Sequence, residues 1–310
     1  MEFSFYKWHF SIKNKDKTIK FDAEDFNSLH SEALRYIEKL PKEEIEKRLS
    51  SVTLNKSDFD LAAAKEILAK SGILIVKDFV SPDELGSLSA SFEGLLSLIG
   101  DFKNSNDSFE EKEGYLIQNG PAKISGYGNL AGYLKPVINI RDGHDSGMVD
   151  VFNVDHLIPE FNEHIKPHFE DATLKSLLDR KSESLSAKNL NVYINESITG
   201  TRGFHVDSYG EQIKAFLYLS DVNELNDGPY VYVKKTHLET VYRKINKKIA
   251  GGVVKKTESP IVDHENILPV LAKKGALIIS DQGGIHRGHP QSESGKRYVA
   301  VMNYKKTKPV

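Results

Sequence analysis

Residues 190–207 read L-N-V-Y-I-N-E-S-I-T-G-T-R-G-F-H-V-D, and the fold turns on how this stretch is read. The first half alternates. Leu190, Val192 and Ile194 share one face of an extended strand, and Asn191, Tyr193 and Asn195 share the other. A polar face of that kind inside a β-barrel would line a ligand pocket; on an isolated strand it would meet water. The second half ends on His205 and Asp207, two residues apart, so an imidazole and a carboxylate leave an extended backbone side by side. They supply two of the three donors of a 2-His-1-carboxylate iron site, a donor set that keeps positions open for substrate and oxygen. Alone, a His-x-Asp pair arises by chance as a hydrogen-bonded surface pair, so the reading needs a third donor and a fold that delivers it.

Downstream the chain is strand-like. Candidate strands are Leu190–Glu196, Gly203–Asp207, Gln212–Ser220, Tyr230–Lys234, Gly275–Ser280 and Arg297–Tyr304, separated by turn signals at Asn226-Asp227-Gly228-Pro229, Gly283-Gly284 and Ser294-Gly295. Many short strands at this spacing predict a sandwich or jelly roll. Thr236–Ala250 is expected as an inserted helix and 251–270 as a polar insertion.

Upstream the pattern is mostly helical. Phe3, Phe5, Trp8, Phe10 and Ile12 suggest an aromatic strand that changes phase once. Helices are expected over 25–40, 41–49 and from a cap at Ser57 or Asp58 to Lys70, after which Ile73–Val76 reads as a buried strand. Ser81-Pro82-Asp83-Glu84 is a capping box opening a helix to about Ile99. Asp101–Met148 is rich in Gly, Asn, Asp and Ser and is expected as a long loop, either a surface insertion or a recognition element bearing Tyr115, Lys123, Tyr127, Tyr133, Arg141 and His144. A short strand at 149–154 and a helical stretch at 158–179, despite Pro167, complete the reading. The expected architecture is α+β: a double-stranded β-helix (jelly roll, cupin-like) with flanking helices, residues 1–56 forming a strand and helical extension and 57–310 the jelly-roll domain.

The third donor is expected at Lys274–Pro290, K-G-A-L-I-I-S-D-Q-G-G-I-H-R-G-H-P, where a buried strand runs into a glycine turn and then presents His286. His289 competes, but Pro290 follows it and takes the chain out of the strand. His164 and His168 share a helical spacing, yet Pro167 lies between them and the zinc-protease Glu is missing. Arg297 opens the last strand among apolar and aromatic neighbours; a guanidinium pointing into the barrel needs an anion, and a carboxylate matches its planar fork.

Composition limits the alternatives. The 310 residues carry 42 basic and 44 acidic side chains, so no basic excess points to nucleic acid. There is no cysteine, which removes disulfides, thiolate metal sites and cysteine nucleophiles. No apolar run approaches membrane-spanning length. A cytoplasmic protein acting on a small molecule is expected, with no membrane or nucleic-acid partner.

The chain resembles the phytanoyl-CoA dioxygenase family of Fe(II)/2-oxoglutarate oxygenases. The resemblance rests on His205-Val206-Asp207, Asn226-Asp227-Gly228-Pro229, Val233-Lys234-Lys235-Thr236-His237, His286-Arg287-Gly288, Arg297, and G-I-L-I-V-K-D-F-V-S-P-D-E-L at 72–85. It spans roughly residues 57–304. Where the family carries Gly-Ser-His this chain has Lys235-Thr236-His237, and 101–148 matches no pattern of the family. The resemblance implies that His205, Asp207 and His286 bind Fe(II), that Arg297 holds the distal carboxylate of 2-oxoglutarate, and that Asn195 and Tyr193 are further co-substrate contacts. Asn191, Arg202 and Tyr209 are then candidate substrate contacts. It further implies a dioxygenase that consumes O2 and 2-oxoglutarate, releases succinate and carbon dioxide, and hydroxylates an unactivated C–H bond. Related halogenases replace the carboxylate ligand with a small residue, so Asp207 favours hydroxylation. Lys123, Arg141, Arg202 and Lys214 would suit an anionic substrate. A divalent-metal hydrolase and a non-catalytic jelly-roll binding module are the competing classes, separated from an oxygenase by oxygen uptake that depends on 2-oxoglutarate.

Overall fold

The computed structural model describes residues 25–179, 185–210, 212–252 and 254–304 with their side chains, and the backbone of 2–6, 9–14, 17–21, 23–24 and 305–306. It begins with three antiparallel strands, β1 (Glu2–Tyr6), β2 (His9–Asn14) and β3 (Lys17–Phe21). The single aromatic strand expected there is thus two paired strands, and its change of phase falls between them. Helices α1 (Ala23–Glu38) and α2 (Lys42–Ser50) lead into β4 (Thr53–Asn55), α3 (Leu61–Ser71) and β5 (Ile73–Lys77). Asp60, not Ser57 or Asp58, caps α3, accepting the Ala63 amide at 2.6 Å; residues 56–58 form a separate 3-10 turn.

Ser81 and Glu84 form the expected capping box, but the helix it opens is short. α4 (Pro82–Gly86) stops, and α5 (Ser89–Asn104) begins after Leu88. The expected loop at 101–148 carries three short strands and a helix: β6 (Phe109–Glu111), β7 (Leu116–Asn119), the short helix α6 (Tyr127–Ala131) and β8 (Val137–Ile140). β9 (Val149–Phe152), α7 (Val154–Leu157), a π-turn at Phe161–Ile165, α8 (Lys166–Glu170) and α9 (Ala172–Leu178) follow. Then come β10 (Leu185–Glu196), β11 (Ile213–Tyr218), β12 (Tyr230–Val233), α10 (Val241–Ile249), β13 (Ile267–Val270), β14 (Leu277–Asp281), β15 (His286–Gly288) and β16 (Lys296–Lys306). No helix among the described residues is long and apolar enough to cross a membrane.

Two sheets carry the site. The larger has the order β4-β5-β14-β11-β16-β10-β9-β8-β7-β6, and the smaller β13-β12-β15. Strand alternation sorts the side chains of the large sheet between two cores. Ile73, Ile75, Phe216, Tyr218, Ile278, Val299 and Val301 point inward and pack on Tyr232, Leu268 and Val270 of the small sheet, joined by Ile45 and Leu49 of α2. Their neighbours Leu74, Val76, Ala215, Leu217, Leu277, Ile279, Ala300 and Met302 point outward, under Leu68 of α3, Leu95 and Ile99 of α5 and Leu174 of α9. Burial on both faces explains why these strands read as continuous apolar runs. This is the α+β jelly-roll core expected from the sequence. The inward parity also carries Asn191, Tyr193, Asn195, Lys214, Arg297 and Asn303, the polar lining of the barrel.

Candidate metal centre

The residues around His205 form no full strand. They are held by isolated bridges on two sides, to His286 and to Glu258. His205 N–H donates to the His286 carbonyl at 2.9 Å, and His286 N–H returns the bond to the His205 carbonyl at 2.9 Å. On its other side, Val206 N–H donates to Thr257 and Ser259 N–H donates to the Phe204 carbonyl. The His286 side comes from a turn under tight constraint. A Cβ on Gly284 would collide with the Tyr232 ring, so only glycine fits. Thr236 Oγ1 accepts the Ile285 N–H at 2.7 Å and donates to the Val233 carbonyl at 2.6 Å. Arg243, on α10, donates to the carbonyls of Gly283, Thr236 and Tyr209. From outside, Ala33 and Ile37 of α1 pack on Phe204, Val206 and Ile285, and His30 Nδ1 accepts the Phe204 N–H at 3.2 Å.

Inside this frame the donor atoms of His205, Asp207 and His286 all lie within 4.8 Å of one another. The two imidazole rings are 4.5 Å apart between centroids, and His286 Nε2 is 3.7 Å from Asp207 Oδ1. Each imidazole is oriented by its own backbone. His205 Nδ1 lies 2.8 Å from the Gly203 carbonyl, and His286 Nδ1 2.9 Å from that of Gly284. A carbonyl only accepts, so both Nδ1 atoms carry the proton and both Nε2 lone pairs face the centre. Burial, with His286 and Arg202 nearby, holds the His205 imidazole well below its ordinary pKa and therefore neutral. Burial would raise the Asp207 carboxyl, but Lys214 and the two histidines outweigh it and leave the group well below the usual range. Lys214 Nζ binds Asp207 Oδ2 at 2.7 Å, leaving Oδ1 toward His286. Burial opposes the Lys214 charge, yet Asp207 keeps its pKa raised. A neutral imidazole at His205 and an ionised carboxylate at Asp207 are the protonation states that a divalent cation requires of such ligands. His289 stands apart: its Nδ1 lies 2.8 Å from the Pro290 carbonyl and its Nε2 has no hydrogen-bond partner. Of the pair set aside in the sequence, His168 is bound to Glu84.

The triad opens into a cavity of about 550 Å³. Tyr193, Asn195, Arg202 and Arg297 stand on its wall, with Lys214, Tyr230, Gln282 and Arg287, and Tyr127, Arg141, His144 and Asp145 close one side. Asn191 and Tyr209, expected as substrate contacts, are not on that wall. Asn191 is fully buried; its amide donates to Tyr127 Oη at 3.0 Å and accepts the Asn153 N–H. Tyr209 packs with Phe204 and Val206, its hydroxyl near Ser259. Lys123 is likewise elsewhere, paired with Glu111. Arg297 Nη1 donates to the Gly228 carbonyl, its Nε has no partner, and no carboxylate among the described residues pairs with it. Asn195 Oδ1 and Gln282 Oε1 are also buried without partners. Sequence reasoning missed Lys214 as the partner of Asp207, although its position on the inward parity of β11 was readable. Gln282 and Tyr230 gave no signal.

No family model and no curated protein matches the chain. Among solved structures, AviO1 from Streptomyces viridochromogenes Tue57 aligns over 81% of this chain and 96% of its own, at 16% identity and a TM-score of 0.50. The chain is similar in fold to AviO1. The epimerase SnoN, solved with Fe3+, α-ketoglutarate and nogalamycin RO, aligns over 79% of this chain and 82% of its own at 15% identity and a TM-score of 0.48. HygX from Streptomyces hygroscopicus, solved with nickel and 2-oxoglutarate, aligns over 78% and 85% at 12% identity and a TM-score of 0.46.

Proposed function

We propose that this protein is an Fe(II)/2-oxoglutarate-dependent oxygenase of the phytanoyl-CoA dioxygenase type, oxidising a C–H bond of a small molecule. The observation that carries this reading is one cavity lined both by a His205–Asp207–His286 donor set and by Arg297, whose guanidinium has no carboxylate partner among the described residues. The donors fit the metal: two Nε2 lone pairs and one carboxylate oxygen converge, and the chemistry of the set is that of non-haem iron with open positions. Arg297 fits the keto acid, because a deep guanidinium without a counter-charge is costly and a planar carboxylate satisfies its fork. Asn195 and Tyr193, on the neighbouring strand, are further contacts for the same ligand.

When bound, iron and 2-oxoglutarate supply the oxidising chemistry, with succinate and carbon dioxide as products. The chain does the rest. The Gly203 and Gly284 carbonyls fix the tautomer and direction of the imidazoles, as outer hydrogen bonds do at metal sites generally. Lys214 occupies one oxygen of Asp207 and leaves the other for the metal. Phe216, Tyr218 and Val299 give the Arg297 end an apolar surround that keeps water from competing for the guanidinium.

The test is anaerobic reconstitution with Fe(II), followed by oxygen and 2-oxoglutarate with succinate measured. Slow substrate-free succinate formation is expected from the wild type and none from His205→Ala. Arg297→Gln should raise the 2-oxoglutarate requirement at least tenfold while leaving Fe(II) binding intact. An unchanged requirement would remove Arg297 from the co-substrate site.

A further inference from the structure

The cavity holds more positive charge than an iron–keto acid pair can use. Its cations are Arg141, Arg202, Lys214, Lys255, Arg287 and Arg297. Two are already neutralised within the protein. Arg141 forks onto Asp150 at 2.6 and 2.7 Å, and Lys214 holds Asp207. The other carboxylate on the wall, Asp145, accepts Arg141 Nη1 at 3.3 Å and the backbone N–H of Arg202 at 3.0 Å. The two charges of a ferrous ion and the two of 2-oxoglutarate cancel, and Arg297 is the group that would meet the keto acid. Arg202 and Arg287 remain without an ion-pair partner among the described residues, and Lys255 stands at the rim.

These two arginines are held in place by neutral groups. Arg287 is only 4% exposed; its Nη2 donates to Thr201 Oγ1 at 2.9 Å, its Nε to the Gly288 carbonyl, and its guanidinium lies 5.5 Å above the Phe204 ring. Arg202 Nη2 donates to Thr257 Oγ1 at 2.6 Å. Both side chains stand on the wall of the one cavity that holds the triad, and both guanidiniums act on His30 behind it. Arg287 is buried and Arg202 half-buried. A cation kept this dry is costly unless an anion arrives.

Resting on the oxygenase reading above, we propose that the primary substrate carries an oxyanion, a carboxylate or a phosphate ester, and that Arg287 and Arg202 receive it beside the metal. Each guanidinium has donors left over after its threonine bond, as oxyanion recognition requires.

The experiment loads the protein with Fe(II) and N-oxalylglycine without oxygen, so that the metal and Arg297 are engaged, and titrates inorganic phosphate and acetate by calorimetry at low salt. Phosphate should bind the wild type and weaken about tenfold in Arg287→Gln and in Arg202→Gln. N-oxalylglycine affinity should stay as in the wild type, which also shows the variants folded. Phosphate without acetate binding assigns a phosphate ester; comparable acetate binding assigns a carboxylate. Absence of binding by either anion, or equal binding in both variants, overturns the proposal. Should N-oxalylglycine fail to bind while phosphate still depends on Arg287, the oxygenase reading falls and the anion site stands.

Discussion

The Asp207–Lys214 pair can be measured apart from any activity. At 2.7 Å, and with an effective dielectric of about 20, their gross attraction is about 6 kcal/mol, most of which offsets the desolvation of two buried charges. Removing one partner leaves the other uncompensated, at a usual cost of about 3–5 kcal/mol. A quarter of the Asp207 side chain is exposed, so the lower end applies. In metal-free protein, Asp207→Asn should therefore lose about 3 kcal/mol, or about 6 °C in Tm for a chain of this size. Lys214→Met should lose less, about 2 kcal/mol, because the carboxylate it leaves behind is the more exposed of the two groups. The double variant should lose only about 2 kcal/mol, giving a coupling of about 3 kcal/mol. Urea unfolding in EDTA, followed by far-ultraviolet circular dichroism, gives all four corners of the cycle. Fe(II) calorimetry on the same samples should show binding by Lys214→Met and none by either protein lacking Asp207. Additive losses, or an Asp207→Asn protein as stable as the wild type, would refute the pairing.

Two further expectations concern the frame. His30 is held to about 4 by burial and by Arg287 and Arg202, against 6.5 in an unfolded chain. Its contribution is complete above pH 6.5 and lost as pH falls toward 4, because the unfolded chain takes up the proton first; urea midpoints of wild type and His30→Phe should therefore diverge least at pH 5 and most at pH 7. Arg243→Met would strip donors from the carbonyls of Gly283, Thr236 and Tyr209 and should cost about 2–4 kcal/mol, with weaker Fe(II) binding in calorimetry because the turn before His286 loosens. An Arg243→Met protein that binds Fe(II) as the wild type does would show that the turn is held by its other bonds.

What could be read in the sequence follows the length and burial of the elements. The strands of the barrel were legible because Ile73–Val76 and Leu277–Ile279 are apolar throughout and bounded by turn residues. His205, Asp207 and His286 stood out because a period of two and a glycine turn place donors on one side. The strands in 101–148 were not legible. They are three or four residues long, and Leu116–Gln118 and Val137–Ile140 are buried throughout, so no alternation marks them. Tyr127 nonetheless belongs to the barrel, accepting from Asn191 and Asn303, a contact no local pattern encodes. β13 was hidden by Pro269, which reads as a strand breaker; the strand lies at the edge of the small sheet, where a missing N–H is tolerated. Gly203–Asp207 looked like a strand and proved to be two isolated bridges at His205, because its partners come from two separate segments, 257–259 and 286.

The reciprocal amide bonds between residues 205 and 286 also bear on the order of assembly. Contacts so distant along the chain close late, after much of the loop-closure entropy has been lost. Until the C-terminal third has been synthesised and threaded home, a passing ion finds only one imidazole and one carboxylate, a weak hold for any metal. Discrimination among metals therefore falls to the finished barrel rather than to the nascent chain.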